Sequence, residues 1–289
     1  MRFTKLQGLG NDFVLIDSRE DSNHNWAGLA QRMCVRRFGV GADGLLVLLD
    51  SESAKYRMRM FNPDGSEAEA CGNGLRCLVC YMASQGLIQQ GDGSPIETMA
   101  GIRQATLLEW DGRAAQIMVS MGKPVFQTES LPVAVEAGKG NMFDIMLGNY
   151  PLTVSDEELR LNFVSMGNPH AVYFIPGSVS EFPLSTIGPK VEHNPLFPRG
   201  VNFEIVHMIS PHRCEMRVWE RGAGETLACG SGACAVAVAA RLSGIASDTL
   251  EISLPGGLAE VSWDGQGEVL LTGPAESVFC GEWPDALDA

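Results

Sequence analysis

Two cysteines in matching glycine-rich settings are the residues of this chain whose types and spacing point most directly to chemistry. Sliding the sequence by 158 positions places Glu67, Ala70, Cys71, Gly72 and Gly74 on Glu225, Ala228, Cys229, Gly230 and Gly232, and Gly86 on Gly244. Both copies read E-x-x-A-C-G-x-G. After each, apolar residues recur at helical spacing: Leu75, Leu78, Val79 and Met82 in the first, Ala235, Val236, Val238, Ala239 and Leu242 in the second. A cysteine at a helix start faces unpaired backbone N–H groups and the positive end of the helix dipole, which lowers a thiol pKa from its usual value of about 8.5. The same N–H groups can hold a carboxylate, and the flanking glycines let a ligand approach the backbone. Inverting a carbon centre takes one thiolate to remove a proton and an opposed thiol to return one on the other face. The repeat supplies both groups, which would titrate as a coupled pair with the monoanion as the active form.

The elements that must position them follow from the same repeat. Gly10-Asn11 and Gly167-Asn168 precede their cysteines by 60 and 61 residues, so the asparagines belong to the duplication too. Short β-rich segments, Phe13 to Ile16, Leu45 to Leu49, Ala105 to Trp110, Gln116 to Ser120, Ala171 to Phe174 and Glu215 to Trp219, are separated by Gly, Pro or Asp turns. The predicted class is α+β, with two duplicated domains related by a pseudo-twofold axis. Each is a β-rich, barrel-like sheet around a central helix, and the active site is expected in the interdomain cleft. A length of 289 residues agrees with two domains.

Composition narrows the function classes. With 45% hydrophobic and 19% charged residues the chain can bury cores and lacks the signature of disorder. A net charge of −14 without a basic cluster argues against nucleic acids and anionic membranes as partners. The segment Met1 to Asp17 shows no signal-peptide pattern, and no apolar run is long enough to span a bilayer. Eight cysteines without a secretion signal read as reduced thiols of a cytoplasmic enzyme.

Other features have plainer readings. Cys77 and Cys80 form a C-x-x-C inside an apolar helix with no second pair to complete a zinc site, so core packing is preferred and no metal is assigned. Cys34, Cys214, Cys234 and Cys280 lack the duplicated glycines and receive structural readings. Gly138-Lys139-Gly140 lacks P-loop spacing and Gly8-Leu-Gly10 lacks the third glycine of a dinucleotide fingerprint, so no nucleotide cofactor is implied. His170, at a predicted strand start, is open to a structural or a functional reading. Asn11 and Asn168 would each read as turn residues in isolation, but their matched positions favour binding.

Six motifs in one order, Gly8-Leu-Gly-Asn11-Asp-Phe, Phe61-Asn62-Pro-Asp-Gly-Ser-Glu67, Ala70-Cys71-Gly72-Asn73-Gly74, Gly167-Asn168-Pro-His170, Glu220-Arg221-Gly222 and Ala228-Cys229-Gly230-Ser231-Gly232, resemble the diaminopimelate epimerases over nearly the whole chain. The resemblance implies cofactor-independent interconversion of LL- and meso-diaminopimelate, in lysine and cell-wall precursor synthesis, with Cys71 and Cys229 as acid/base pair. It implies that Gly72-Asn73 and Gly230-Ser231 hold the reacting carboxylate. Asn11, Asn62, Asn168, Asn202, Glu220 and Arg221 would bind the rest of the substrate, and His170 and Glu220 would tune the thiols. Arg221 suits the distal carboxylate by bidentate geometry. It also places the halves at residues 1–122 and 123–274, with the tail from about 275 to 289 returning to the first, and is compatible with a homodimer. One departure is visible: Gly44 follows Gly41-Ala-Asp43 where some members carry a substrate-contacting glutamine. The rival readings are a proline-racemase-like enzyme, a thiol redox or metal-handling protein and an amino-acid binding module without a reactive thiol.

Overall fold

Apolar and small residues run round every side of the helix that follows Cys71, and a helix of that kind needs an enclosure rather than a single packing face. In the computed structural model the enclosure is a barrel. Residues 1–20, 24–68, 71–126, 133–134, 140–143, 146–155 and 157–284 are described; Glu69, Ala70, Gly138, Lys139 and the tail beyond 284 lie outside them. The chain divides into two compact units, Met1–Ser120 with Thr272–Ala289, and Met121–Leu271.

The first unit contains β1 (Arg2–Gly8), β2 (Asn11–Asp17), α1 (Trp26–Met33), β3 (Gly44–Asp50), β4 (Tyr56–Phe61), the short β5 (Glu67–Ala68), α2 (Gly72–Ser84), β6 (Gly93–Thr98), β7 (Gly101–Trp110) and β8 (Ala114–Ser120). Pairing runs β1 to β2 to β3 to β4 to β6 to β7 to β8, and the last strand of the chain, Leu270–Glu282, bonds to both β8 and β1 and closes the circuit. Helix α2 packs against β1, β2, β3, β4, β7 and β8. Because α2 lies on one side and α1 on the other, Phe13 to Ile16 and Leu45 to Leu49 are buried on both faces, and for that reason they read as continuous apolar runs rather than alternating ones.

The second unit repeats the plan. After the two-stranded β9 (Asn141–Phe143) and β10 (Met146–Gly148) come β11 (Tyr150–Val154), β12 (Glu157–Ser165), β13 (Pro169–Phe174), α3 (Leu184–Glu192), β14 (Asn202–Ser210), β15 (Arg213–Glu220), β16 (Gly224–Thr226), α4 (Gly230–Leu242), β17 (Thr249–Leu254) and β18 (Gly257–Ser262), before the last strand, β19. The parallel pairings recur in both units. β2–β3 and β13–β14 are parallel, joined through α1 and α3, and β4–β6 and β15–β17 are parallel, joined through α2 and α4. Helix α4 packs on β12, β13, β14, β17 and β18, and Ala233 to Ala240 are all buried, their small side chains letting the strands come close.

Both central helices end alike. Gly86 and Gly244 adopt φ of +66° and +72°; Gly86 N–H bonds Ala83 O and Leu87 N–H bonds Met82 O, matched by Gly244 to Arg241 and Ile245 to Ala240. This is the Schellman pattern, and it explains why the repeat includes these two glycines.

An ion cluster that runs from the buried Lys5 to the exposed Arg36 fixes the β1–β2 hairpin to the segment before β3. Lys5 Nζ lies 2.6 Å from Asp12 Oδ2 and also donates to Gly41 O, while Arg36 Nη2 is 2.6 Å from Asp12 and 2.8 Å from Asp43. Burial alone would raise the Asp12 pKa, but the hydrogen bonds from Arg36 and Lys5 outweigh it and bring the carboxyl down from 3.8 to about 2. A depressed carboxyl pKa stabilises the fold fully above the unfolded value, and the contribution disappears as pH falls through about 2. Asp12 is therefore expected to contribute acid-sensitive stability on the order of 1 kcal/mol, because solvent screens its exposed partner Arg36. Urea unfolding followed from mildly acidic pH downward should show a shallower pH dependence in Asp12→Asn than in the wild type; parallel curves would refute the assignment.

Candidate active-site residues

Each repeated cysteine is the N-cap of its central helix. Cys71 has extended backbone angles (φ −141°, ψ 116°) and its Sγ accepts from Gly74 N–H at 3.4 Å; Cys229 (φ −119°, ψ 110°) accepts from Gly232 N–H at 3.4 Å. Sulfur thus occupies the place usually taken by a serine or aspartate oxygen, bonding the third N–H of the helix. The glycines leave room for neighbouring side chains there. A Cβ on Gly232 would sit 2.8 Å from Glu204 Oε1, and one on Gly74 would lie 3.0 Å from Leu46 Cδ2.

In the first unit Cys71 is half-buried. Asn11 Oδ1 stands 3.9 Å from its Sγ and accepts from Asn73 Nδ2 at 3.1 Å. The Asn11 amide is turned this way because its Nδ2 donates to Asp43 Oδ2 at 2.7 Å. Asn73 Oδ1 in turn accepts from Nη2 of Arg76, a wholly buried arginine inside the barrel, at 2.8 Å. Gly8 and Gly273 line the space its guanidinium fills, since a Cβ on Gly273 would come within 3.3 Å of it. Asn62 closes its own turn, donating to Ser66 Oγ at 2.9 Å. Gly44 begins β3 with Phe61 O, Met60 and Phe13 already against it, a Cβ there meeting the Phe61 carbonyl at 3.1 Å.

In the second unit the polar groups form a continuous line. Cys229 Sγ is 3.5 Å from Ser231 Oγ, which accepts from Asn168 Nδ2 at 3.3 Å; Asn168 Oδ1 is 2.9 Å from His170 Nε2, and His170 Nδ1 is 2.7 Å from Glu204 Oε1. Asn202 faces elsewhere: it donates to Pro169 O at 3.0 Å and accepts from Arg221 N–H at 3.0 Å, joining the β13 start to the β15–β16 turn. Glu192 supports the same turn through Gly222 N–H at 2.8 Å and Trp219 Nε1 at 2.7 Å. Beside it lies a cavity of about 500 Å³ lined by Glu192, Phe197, Arg199, Gly200, Arg221 and Gly222. The exposed Arg221 side chain donates to Arg199 O at 3.4 Å.

The electrostatics at Cys229 differ from the sequence expectation of an activated thiol. Burial pushes its pKa well above the ordinary value, the carboxylates of Glu220 and Glu204 add to this, and the opposing bonds from Ser231 and Gly232 N–H do not compensate. Glu220 is itself raised by burial, drawn back by hydrogen bonds with Thr226 and Cys229 and pushed further by Glu204. The helix-start argument captures one favourable interaction and omits the desolvation that exceeds it.

Four residues around these sites escaped the sequence reading: Asp43, Arg76, Glu192 and Glu204. Arg76 and Glu204 carried a signal, each being a lone charge in an apolar stretch, Leu75-Arg-Cys-Leu and Phe203-Glu-Ile-Val. Cys77 and Cys80 are core residues of α2, and Cys34, Cys214 and Cys234 are likewise buried, whereas Cys280 is exposed on β19.

The family profile of diaminopimelate epimerase matches residues 3–127 and 162–278. A diaminopimelate epimerase of Moorella thermoacetica is 46% identical over 286 residues, covering 98% of this chain and 99% of that protein. Another, of Acetivibrio thermocellus, is 44% identical and covers 98% of each chain. Among solved structures, a probable proline racemase from Agrobacterium radiobacter matches with a TM-score of 0.68 at 14% identity, over 98% of this chain and 93% of that one. A phenazine biosynthesis protein of the PhzF family from Bacillus anthracis matches with a TM-score of 0.65 at 16% identity, over 98% and 99%. The structures share the fold, and the sequence relatives, alike over their full length, decide between its members: the chain belongs to the diaminopimelate epimerase family.

Proposed function

We propose that this protein is a cofactor-independent isomerase that interconverts LL- and meso-diaminopimelate by passing the α-proton between Cys71 and Cys229. The observation that carries the reading is the pair of repeat-related cysteines, each capping a central helix of the same plan, in a chain of this family. Inversion at an α-carbon requires a base for one face and an acid for the other, and these two thiols are the groups assigned to those roles. The first N–H groups of a helix have no acceptor within the helix, so Gly72-Asn73 and Gly230-Ser231 are suited to hold the reacting carboxylate, which gains negative charge as the proton leaves. Arg221 beside the cavity of the second unit takes the distal carboxylate, with Asn11, Asn62, Asn168, Asn202 and Glu220 binding the remaining polar groups. A small zwitterionic substrate, rather than a nucleic acid, suits a chain with a net charge of −14. A reducing cytoplasm, which keeps such thiols from oxidising, is the compartment we assign, and a homodimer is compatible with the reading.

Burial and the Glu220 and Glu204 carboxylates disfavour a thiolate at Cys229. In this reading Cys229 starts as the acid and the opposing cysteine as the base. His170 and Glu220 act on that balance rather than on the substrate carbon, Glu220 by placing a carboxylate where a Cys229 thiolate would form.

In deuterium oxide the protein is expected to convert LL- to meso-diaminopimelate and to incorporate deuterium at one α-carbon with no added cofactor, as read by mass spectrometry. Cys71→Ala and Cys229→Ala should each abolish epimerisation; full activity in either would sink the mechanism. Glu220→Gln removes negative charge beside Cys229, lowers the thiol pKa and raises its thiolate fraction at neutral pH. Site-resolved alkylation by iodoacetamide should therefore be faster at Cys229 in this variant, and an unchanged or slower rate would contradict the proton assignment.

A further inference from the structure

The line of hydrogen bonds behind Cys229 ends on a residue with no assigned part in the reaction. Glu204 lies on β14, parallel to β13 with His170 in register with Asn202, and both Glu204 and His170 are fully buried. One carboxylate oxygen meets His170 Nδ1 at 2.7 Å; the other has no hydrogen-bond partner among the described residues. A buried carboxylate with one vacant oxygen is costly, and its pairing with the imidazole is the compensation present. An ionised carboxylate only accepts, so the nitrogen facing it must carry a hydrogen. Asn168 Oδ1 is likewise an acceptor for His170 Nε2, while Asn168 Nδ2 donates to Ser231 Oγ. With an acceptor facing each ring nitrogen, both nitrogens carry a hydrogen and the ring is an imidazolium; the donors then all point one way, from the ring to Asn168, from Asn168 to Ser231, and from the Ser231 hydroxyl to Cys229 Sγ.

We propose that Glu204 is a positioning residue for the epimerisation: by holding a hydrogen on His170 Nδ1 it fixes the ring, and through it the Asn168 amide and the Ser231 hydroxyl, as a donor chain aimed at the Cys229 sulfur. The proposal rests on the reading of Cys229 as an acid/base group. Burial and Glu220 hold a proton on Cys229, whereas a donor chain stabilises the thiolate left after that proton is given to the substrate. Each turnover passes through both states, so a chain that receives the thiolate lowers the barrier without touching the substrate. Asn11, the repeat partner of Asn168, is oriented directly by Asp43, so the two halves reach the same end by different carboxylates.

The test compares wild type with Glu204→Gln, which keeps the shape but offers a donor as well as an acceptor and no longer dictates the hydrogen at Nδ1. The expected result is a fall in kcat of about 10- to 100-fold with KM held within about twofold, the scale seen when an outer partner that orients a histidine is removed. In protein labelled with 15N-histidine, His170, identified by its loss in His170→Asn, should carry hydrogens on both Nδ1 and Nε2 in the wild type and a reduced Nδ1–H population in Glu204→Gln. An unprotonated Nδ1 or Nε2 in the wild type, a kcat within about twofold of wild type in the variant, or a fall in kcat with an unchanged Nδ1–H population would each overturn the proposal. If Glu204→Gln does not fold, Ser231→Ala tests the far end of the chain: kcat should again fall with KM held, and an unchanged kcat overturns the proposal. A wild-type protein that fails to exchange deuterium into diaminopimelate refutes the epimerase reading, and the His170 resonance still reports on Glu204 independently.

Discussion

Everything at the candidate sites depends on a cysteine sulfur serving as the N-cap of an enclosed helix. A surface helix frays at its first turn, and a reactive group placed there would move with it. Here α2 is surrounded by barrel strands and α4 is packed against five, so the first turn is held by the sheet around it. The cap consumes the third N–H and leaves the earlier ones directed outward from the helix start, beside the sulfur. One local arrangement thus sets both the place of the cysteine sulfur and the place where an anion can bind.

The cap does not by itself decide the protonation of the thiol. At Cys229 the helix terminus and the Gly232 N–H favour the thiolate, while burial and two carboxylates oppose it and prevail. A permanently ionised buried thiolate would be a poor acid, so the raised pKa suits the acid role proposed for Cys229. The polar line through Ser231, Asn168 and His170 to Glu204 then supplies the opposing preference, and the cysteine stands between the two influences.

The duplication constrains the backbone more strictly than the side chains. Strand senses, crossover helices, caps and terminal glycines agree between the units, because each is needed to enclose a helix. The supports of the equivalent asparagines have diverged: Asp43, anchored by Arg36, acts in one unit, and a histidine with Glu204 in the other. Arg76 inside the first barrel has no counterpart at the equivalent position of α4, which is Cys234. A proton can therefore be favoured on one cysteine over the other although the two share a motif.

Sequence alone determined the repeat, the two helices, their capping cysteines, six strand segments and the glycines that end the helices, because each is written in residues near one another along the chain. Periodicity, capping and turn chemistry are local, and local signals survive without coordinates. The tertiary structure decided what depends on distant segments meeting. Barrel closure by β19 joins residues more than a hundred positions apart, the Asn11 amide is set by Asp43, and Cys229 is desolvated beside Glu204 and Glu220. Desolvation and charge act over all neighbours in space, so the pKa of a thiol cannot be read from its motif, even where the motif correctly locates the thiol.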